Sequence, residues 1–357
     1  MVLKRSGRAR RPTEFYQLGL DYVNYTGAGK PRSYEEAIAV PDTDPWLQAV
    51  QSKMDSVHQN QTWELVELPT GRKPLPCKWV FWYKYVSDSI KFKYKARLVA
   101  KEFNQEHGVD YDKIFSPVVK MTTIHLLLGV VAAEDLDLDL EELDVKMAFL
   151  HGDLEDIYIS QPTGFLATGE KSHLVCGMKK SLYVLKQSLR MWYQKFDSYI
   201  RQLGYHRSDS DPCMYTLQLA DESQFYLILY VRDMLIAGSN PAEIGKLKWS
   251  LHDKFAMKEL EQARHIQGMR IERHRTTKIL WLSQSDYIHN VLKRFNMDNA
   301  KPLSTPLPKT ILLSDRDSPS TKEERKLNGK IPYASAVGSI MYAMVATRPD
   351  LAYAVGP

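Results

Sequence analysis

The stretch LILYVRDMLIAG, residues 227–238, decides the fold, because two apolar runs meet there at a charged dipeptide, Arg232–Asp233. Each run has the length and apolar content of a strand, so the stretch predicts two antiparallel strands joined by a tight turn. Aspartate is a common turn residue, and by itself such a tip indicates only a structural turn. A second feature of the sequence is needed before chemistry can be assigned to it.

A second carboxylate lies in the stretch ELDVKMAFLHGDL, residues 142–154, where Asp144 ends a short apolar strand and a turn follows. Nucleotidyl transferases place carboxylates on neighbouring strands in this way and hold two divalent metal ions with them. Magnesium prefers such oxygen ligands, completed by the phosphates of the substrate. Asp144 and the hairpin tip are therefore candidates for one metal-binding site.

The distribution of charge along the chain favours a phosphate-rich ligand. The 357 residues carry a formal net charge of +5, and 44% of them are hydrophobic, as in an ordinary globular protein. Residues 72–101 contain nine Lys or Arg and one acid, whereas residues 134–156 contain ten Asp or Glu and one Lys. A basic module beside an acidic one suits phosphates gripped on one side and metal ions held on the other.

The sequence disfavours a membrane span, a disulfide framework and a zinc site. The longest uncharged apolar stretch, residues 124–133, is too short to cross a bilayer, so no membrane partner is expected. The three cysteines are scattered and give no disulfide framework. His173 and Cys176 have the spacing of half a zinc site, but no matching second pair follows.

Helical and strand-like patterns alternate irregularly, which predicts an α+β fold. The clearest amphipathic helix is expected over residues 188–204, with Ser188 as its cap and Gly204 at its end. A largely buried helix is expected from Thr122 or Thr123 onward. The other expected elements are short strands around 213–238, a helix near 240–254, strands near 267–283, and helices over 285–297 and 333–347.

Ten stretches of the chain resemble, in the same order, those of copia-type LTR-retrotransposon polyproteins. They are NQTWELVELP, CKWVF, YKARLVAKEF, GVDYDKIFSPVVK, LDVKMAFLHGDLEDIYISQPTGF, SLYVLKQSLRMWY, SDPCMY, LYVRDMLIAG, AKPLSTPL and YASAVGSIMYAMVATRPD. The resemblance runs from about residue 33 to the C-terminus and is to the reverse transcriptase domain of that family.

The resemblance implies a right-hand polymerase with an antiparallel palm sheet. Residues 1–45 are then a basic, flexible linker remnant, and residues 46–121 belong to the fingers. Residues 122–265 form the palm. Residues 266–357 form a partial thumb or connection region, which stops before any carboxylate cluster of a ribonuclease H.

The resemblance also implies roles for residues at the site. Asp144 corresponds to the first catalytic aspartate of the family, and Phe149 to the aromatic residue that blocks a ribose 2′-hydroxyl. Lys95 and Arg97 lie in the fingers strand that meets the incoming triphosphate, and either could make the contact. The template-side wall of the nucleotide pocket comprises Tyr183, Lys186 and Gln187.

The hairpin departs from the family pattern at one residue. The pattern there is Tyr-Val-Asp-Asp-Met, whereas this chain has Tyr-Val-Arg-Asp-Met at residues 230–234, so Arg232 replaces a metal-binding aspartate. Arginine cannot lose its charge. At a separation of ~4 Å it repels a divalent ion by roughly 8 kcal/mol at an effective dielectric constant near 20. Asp233 is not expected to compensate, because a shift of one residue along a strand turns a side chain to the opposite face.

Asp144 and Asp233 remain the expected catalytic and metal-binding residues, for two Mg²⁺ ions in the family and for weak or lost binding in this chain. The alternative is that Arg232 swings outward while the two aspartates hold one weakly bound ion.

The sequence thus predicts a reverse transcriptase domain that acts on an RNA or DNA template–primer and deoxynucleoside triphosphates, and that is impaired by Arg232. A non-catalytic nucleic-acid-binding remnant and a host-adopted structural protein are the alternatives. The resemblance implies a cytoplasmic location in a virus-like particle, or a nuclear one.

Overall fold

The structure is a computed structural model, and it describes residues 30–85, 92–133, 141–145, 152–154, 156–182, 185–255, 257–303, 318–328 and 332–355. Residues 1–29, which make up most of the predicted linker, lie outside these ranges. Among the helices in the described ranges, none has the length and apolar character needed to span a bilayer.

The helices of the described ranges are distributed along the whole chain. They are α1 (Tyr34–Ala39), α2 (Thr43–Gln59), α3 (Met121–Ala133), α4 (Ser188–Gln202), α5 (Pro241–Lys254), α6 (Ser285–Arg294), α7 (Lys322–Asn328), α8 (Tyr333–Ala346) and α9 (Ala352–Val355).

The strands within the described residues form four separate sheets. They are β1 (Trp63–Val66), β2 (Cys77–Tyr85), β3 (Phe92–Ala100), β4 (Glu141–Val145), β5 (Tyr158–Ile159), β6 (Val175–Met178), β7 (His206–Arg207), β8 (Met214–Gln218), β9 (Gln224–Tyr230), β10 (Asp233–Gly238), β11 (Met257–Gln262), β12 (His265–Ile266), β13 (Met269–His274) and β14 (Ile279–Ser283).

The largest sheet has six strands in the order β11-β4-β10-β9-β8-β7, and every neighbouring pair is antiparallel. Helices α3, α4 and α5 bury their apolar faces in the same core as this sheet. The largest fully buried side chains of that core are Trp192, Phe196, Tyr215, Phe225 and Phe255. The sheet confirms the predicted α+β class.

Helix α4 confirms the clearest helical prediction and corrects one detail of it. The helix ends at Gln202, and Gly204 follows with a φ of +91°, a backbone conformation that glycine adopts without strain. The Ser188 hydroxyl does not cap the helix: it donates a hydrogen bond of 2.8 Å to the carbonyl of Leu182. Ser188 instead lies inside the first turn and is buried, which leaves Gln187 at the capping position.

The start of α3 is fixed by a residue far away in sequence. Asp211 Oδ2 accepts hydrogen bonds from the Lys120 backbone N–H at 2.9 Å and from the Thr123 hydroxyl at 2.6 Å. The helix therefore begins at Met121, slightly before the predicted Thr122 or Thr123. A carboxylate at this position satisfies a donor that the helix itself leaves unpaired.

A second core is built by α1, α2 and the β2–β3 hairpin together with residues from 154–185, among them Ile159 of β5 and Met178 of β6. Residues 34–45, expected to be part of the linker, instead form α1 and the start of α2. The physical reason is burial, since Ala37 and Trp46 are fully enclosed. Helix α2 was not predicted, although its buried residues recur at helical spacing; they are Trp46, Val50, Lys53, Met54 and Val57.

The C-terminal part contains the predicted strands and helices as the β12–β13–β14 sheet, α6 and α8. The Tyr287 and Tyr342 rings join the two helices with their centroids 5.0 Å apart. The Tyr342 hydroxyl donates to the carbonyl of Gln267, in the turn between β12 and β13. These contacts place α8 against the small sheet.

Candidate functional site

The predicted hairpin is present as β9 and β10. Tyr230 pairs with Asp233, so Val231 and Arg232 form a two-residue turn. The central residues of both strands are buried, whereas the four residues from Tyr230 to Asp233 are partly exposed. Burial and then the nearby charge of Asp233 raise the pKa of Tyr230 above its ordinary value. The tip is thus a polar group of residues supported by two apolar strands.

The backbone of this turn is strained at Val231, whose φ is +56°. A β-branched side chain in the left-handed region clashes with its own backbone, and such a conformation costs on the order of 1–3 kcal/mol. It persists only where surrounding contacts hold it. The Trp192 indole N–H supplies one such contact by donating to the Val231 carbonyl at 2.6 Å.

Asp144 and Asp233 occupy directly opposed positions in the antiparallel β4–β10 pair. Opposed residues of such a pair share one face of the sheet, with Cα atoms about 4.5–5.5 Å apart. The register thus puts Asp233 on the same face as Asp144, so the argument from strand alternation does not apply to it; whether Asp233 compensates for Arg232 stays a prediction. Arg232 belongs to the turn, so the alternation that relates successive strand residues does not relate it to Asp233. The Asp144 side chain lies outside what the structure describes, and the pairing gives its position in the strand register.

Arg232 brings a permanent positive charge to these carboxylate positions. Its Nε atom lies 3.9 Å from Asp233 Oδ1, and the two side chains are 34% and 23% exposed. Among the residues that the structure describes, no group of three or more His, Cys, Asp or Glu could hold a metal ion. Arg232 thus places a fixed positive charge beside Asp233, at the end of the β4–β10 pair where Asp144 is opposed.

Two predicted site residues, Phe149 and Tyr183, lie outside the described residues. The chain becomes described again at Gly152, which packs closely on α4. A Cβ atom added to Gly152 would lie 2.8 Å from the Cβ atom of Met191, too close for any other residue without a shift. The segment that follows Asp144 is therefore tied to the same turn of α4 as the hairpin tip.

Lys186 and Gln187 lie in a hydrogen-bonded network at the start of α4. Gln187 is buried, accepts from Gln105 Nε2 at 3.0 Å, and donates its own amide to the Asp110 carbonyl at 3.0 Å. The Lys186 ammonium donates to the Tyr111 hydroxyl at 3.2 Å and lies 4.6 Å from the centroid of that ring. These contacts hold Lys186 and Gln187 in place; their position at a nucleotide pocket, and contact with a nucleotide, stay predictions.

The predicted triphosphate contacts Lys95 and Arg97 lie on β3 of the separate two-stranded sheet. Both side chains are partly exposed. The Arg97 guanidinium carbon lies 4.3 Å from the centroid of the Trp82 ring, whereas Lys95 is opposite Trp82 in the ladder. A stacked guanidinium is held in place and still presents its edge N–H groups to an anion.

Two residues that shape the site were missed from sequence. Trp192 was predicted only as part of an apolar helix face, although a buried indole N–H needs an acceptor. Gln105 gave no signal, because a single glutamine in a charged segment is ordinary. The network that contains it joins residues more than 80 positions apart in the chain.

Comparison with known proteins gives a consistent result. Residues 60–309 match the model of the family described as "Reverse transcriptase (RNA-dependent DNA polymerase)". The chain is 50% identical over 355 residues to the "Retrovirus-related Pol polyprotein from transposon TNT 1-94" of Nicotiana tabacum. It is 38% identical over 350 residues to the Pol polyprotein from transposon RE1 of Arabidopsis thaliana, and 37% identical over 360 residues to that from transposon RE2.

These matches cover 97–99% of this chain but only 22–26% of the three relatives. The chain therefore spans about a quarter of the length of the curated proteins it resembles.

Proposed function

Because the chain belongs to the reverse transcriptase (RNA-dependent DNA polymerase) family, we propose that it is the polymerase region of a copia-type retrotransposon Pol polyprotein, impaired in nucleotidyl transfer by Arg232. The observation that carries the impairment is the position of Arg232, one residue from Asp233 and beside the register position of Asp144. Polymerases of this kind use carboxylates to hold two divalent ions. A guanidinium at that point removes one carboxylate ligand and puts a positive charge where the metal ions need a negative one.

The proposed architecture is a right-hand polymerase. The β2–β3 hairpin, with α1 and α2, corresponds to the fingers, and the six-stranded antiparallel sheet with α3, α4 and α5 corresponds to the palm. The β12–β13–β14 sheet and the helices after it correspond to a thumb or connection region. What supports this division is the presence of two cores: α1, α2 and the β2–β3 hairpin share one with residues from 154–185, and the six-stranded sheet shares the other with α3, α4 and α5.

The substrates that this architecture would take are an RNA or DNA template–primer and a deoxynucleoside triphosphate. Arg97, ordered by its stack on Trp82, would meet the triphosphate from the fingers side. The network of Gln105 and Gln187 would keep the pocket wall in place. In the ancestral reaction the primer 3′-hydroxyl attacks the α-phosphate of the triphosphate, and pyrophosphate leaves.

A non-catalytic role in binding nucleic acid is the second candidate, and Arg232 itself favours it. A positive charge at the tip attracts a phosphate backbone whether or not a metal ion is present. The nine Lys or Arg of residues 72–101 add to that attraction. The protein would then hold template–primer without extending it.

Primer extension by purified protein separates these functions. We compare the native chain with two variants, Arg232→Asp and Arg325→Asp, in the presence of either Mg²⁺ or Mn²⁺. Arg325→Asp is the control, because it makes the same charge change at an exposed residue of α7. We expect extension by Arg232→Asp alone. Extension by the native chain at a rate near that of Arg232→Asp would contradict the proposed impairment. If no protein extends primers but all bind template–primer with a steep salt dependence, the binding role is favoured. If none binds template–primer, a host-adopted structural role is favoured.

A further inference from the structure

The hairpin tip needs an external support, because its own sequence disfavours its conformation. A two-residue turn with a positive φ at its first residue is built most easily with Gly, Asn or Asp. This chain has Val231 there, with a φ of +56°. The strain is localised at the residue that precedes Arg232 and Asp233, so any release of it would move both charged groups.

Trp192 is placed to provide that support. Its indole N–H donates to the Val231 carbonyl at 2.6 Å, and its side chain is 0% exposed. The ring packs edge-on against Phe255 with centroids 5.1 Å apart, and lies 5.6 Å from the Phe196 ring. A donor held on several sides by aromatic rings has one orientation, so it fixes the carbonyl that it binds.

The same turn of α4 also contacts the segment that follows the strand of Asp144. Gly152 lies so close to Met191 that no Cβ atom fits between them. The Gly152 carbonyl accepts a hydrogen bond of 2.7 Å from the Ser181 backbone N–H, which anchors the segment further. Gly152 and the hairpin turn therefore contact neighbouring residues of α4, Met191 and Trp192.

We propose that Trp192 is a positioning residue, which holds the Val231–Arg232 turn in its left-handed conformation and thereby fixes residues 232 and 233 relative to the strand of Asp144. The role of Trp192 in polymerisation rests on the proposed function, but its role in holding the turn does not. In the family pattern, where residue 232 would be an aspartate, the same contact would set the position of that carboxylate. In this chain it sets the position of the guanidinium.

Amide hydrogen exchange of the hairpin tests the proposal without requiring activity. Trp192→Phe keeps an aromatic ring and removes the N–H. Trp79→Phe is the matched control, because Trp79 is also a buried indole that donates to a carbonyl, that of Thr163, at 3.0 Å. We expect Trp192→Phe to raise exchange in peptides covering residues 227–236 at least tenfold, and Trp79→Phe to leave it within twofold of the native chain.

A second substitution distinguishes positioning from general loss of packing. Glycine adopts a positive φ without strain, so Val231→Gly should return the exchange of Trp192→Phe to within threefold of native, although the cavity left by the indole remains. If Trp192→Phe does not fold, the Trp192→Phe/Val231→Gly double variant should fold. Native exchange in Trp192→Phe, an equal effect of Trp79→Phe, or no rescue by Val231→Gly would each overturn the proposal.

An activity arm addresses the polymerase consequence. Placed in an Arg232→Asp background, Trp192→Phe should lower kcat for primer extension at least tenfold and change the KM for the triphosphate by less than threefold, since the turn and not the pocket wall is displaced. Unchanged kcat in a variant whose hairpin exchange has risen would overturn the polymerase consequence alone. A background that does not extend primers at all would count against the proposed function and leave the exchange result standing.

Discussion

Asp233 is directly opposed to Asp144 across the β4–β10 ladder. Two carboxylate positions are thus retained on one face of the sheet, with Arg232 in the turn beside them. Within residues 230–234, Arg232 is the one residue that departs from the family sequence pattern.

The first prediction concerns the stack of Arg97 on Trp82. Arg97→Ala should weaken binding of template–primer and reduce the slope of log affinity against log salt by about one, as expected for one lost phosphate contact. Trp82→Ala should have a similar but smaller effect, because it removes the ring that orders the guanidinium at 4.3 Å. Fluorescence anisotropy between 50 and 200 mM salt measures both, with Trp82→Phe and the exposed Lys171→Ala as controls. An equal effect of Lys171→Ala would argue against a specific contact.

The second prediction concerns the buried amide network behind the pocket wall. Gln105→Ala and Gln187→Ala should each lower the free energy of unfolding by about 1–2 kcal/mol, because each leaves a buried partner unsatisfied. Their effects should not add, and the double variant should show a coupling of about 1 kcal/mol. Urea denaturation of the four proteins gives this cycle. As a control, Gln202→Ala lies on the exposed end of α4, and its change in free energy of unfolding should add to that of Gln105→Ala. If the changes caused by Gln105→Ala and Gln187→Ala also add, the network is not cooperative.

Much of the sheet could be predicted from sequence because its signals are local. The apolar runs on either side of Arg232–Asp233 specify strands, and the spacing of apolar residues in 188–204 specifies a helix. Gly204 marks the end of that helix, since it follows the last apolar position and takes a positive φ. Local patterns of this kind do not depend on which distant residues come near.

The third prediction concerns Lys53, whose amine is buried in α2 at 9% exposure. Burial, with a smaller contribution from the Arg97 charge, lowers its pKa from 10.5 to about 8. The folded state thus binds fewer protons than the unfolded state between these values, so its stability rises with pH across that window. Below pH 8 the buried charge destabilises the protein by about 3 kcal/mol, and above 10.5 the effect is absent.

Lys53→Met should therefore be more stable than the native chain at pH 7, by about 2–3 kcal/mol, with the difference shrinking as pH approaches 10. Urea denaturation at several pH values measures the free energy of unfolding of both proteins. The titration of other groups cancels when the two values are subtracted. Lys171→Met, at an exposed position, should give a small difference that does not change with pH. A stability gain in Lys53→Met that stays constant from pH 7 to pH 10 would contradict the depressed pKa.

The fourth prediction concerns Asp211, which is 2% exposed and supports the start of α3. Asp211→Ala should lower the free energy of unfolding by about 2–4 kcal/mol, because it removes a charged acceptor shared by the Lys120 N–H and the Thr123 hydroxyl. Thermal and urea denaturation measure the loss, with the exposed Asp209→Ala as control. A loss no larger than that of Asp209→Ala would mean that the helix start is held by other contacts.

The features that sequence did not predict depend on contacts between distant parts of the chain. Asp211 lies 91 residues from Lys120, and Trp192 lies 39 residues from Val231. The face that Asp233 occupies is likewise not readable from sequence. Strand alternation does not extend across Arg232, because Arg232 lies in the turn and outside the strand. Next to a two-residue turn, the pairing register sets the face of the sheet on which a strand residue lies. The face of the adjacent turn residue does not determine it.

The number of Mn²⁺ ions bound at the hairpin shows whether Arg232 prevents the binding of two divalent ions. Titration by electron paramagnetic resonance, with template–primer and a deoxynucleoside triphosphate present, should show two tightly bound ions per chain in Arg232→Asp and fewer than two in the native chain. Arg325→Asp should match the native chain. Two ions bound by the native chain with the affinity found for Arg232→Asp would contradict the account.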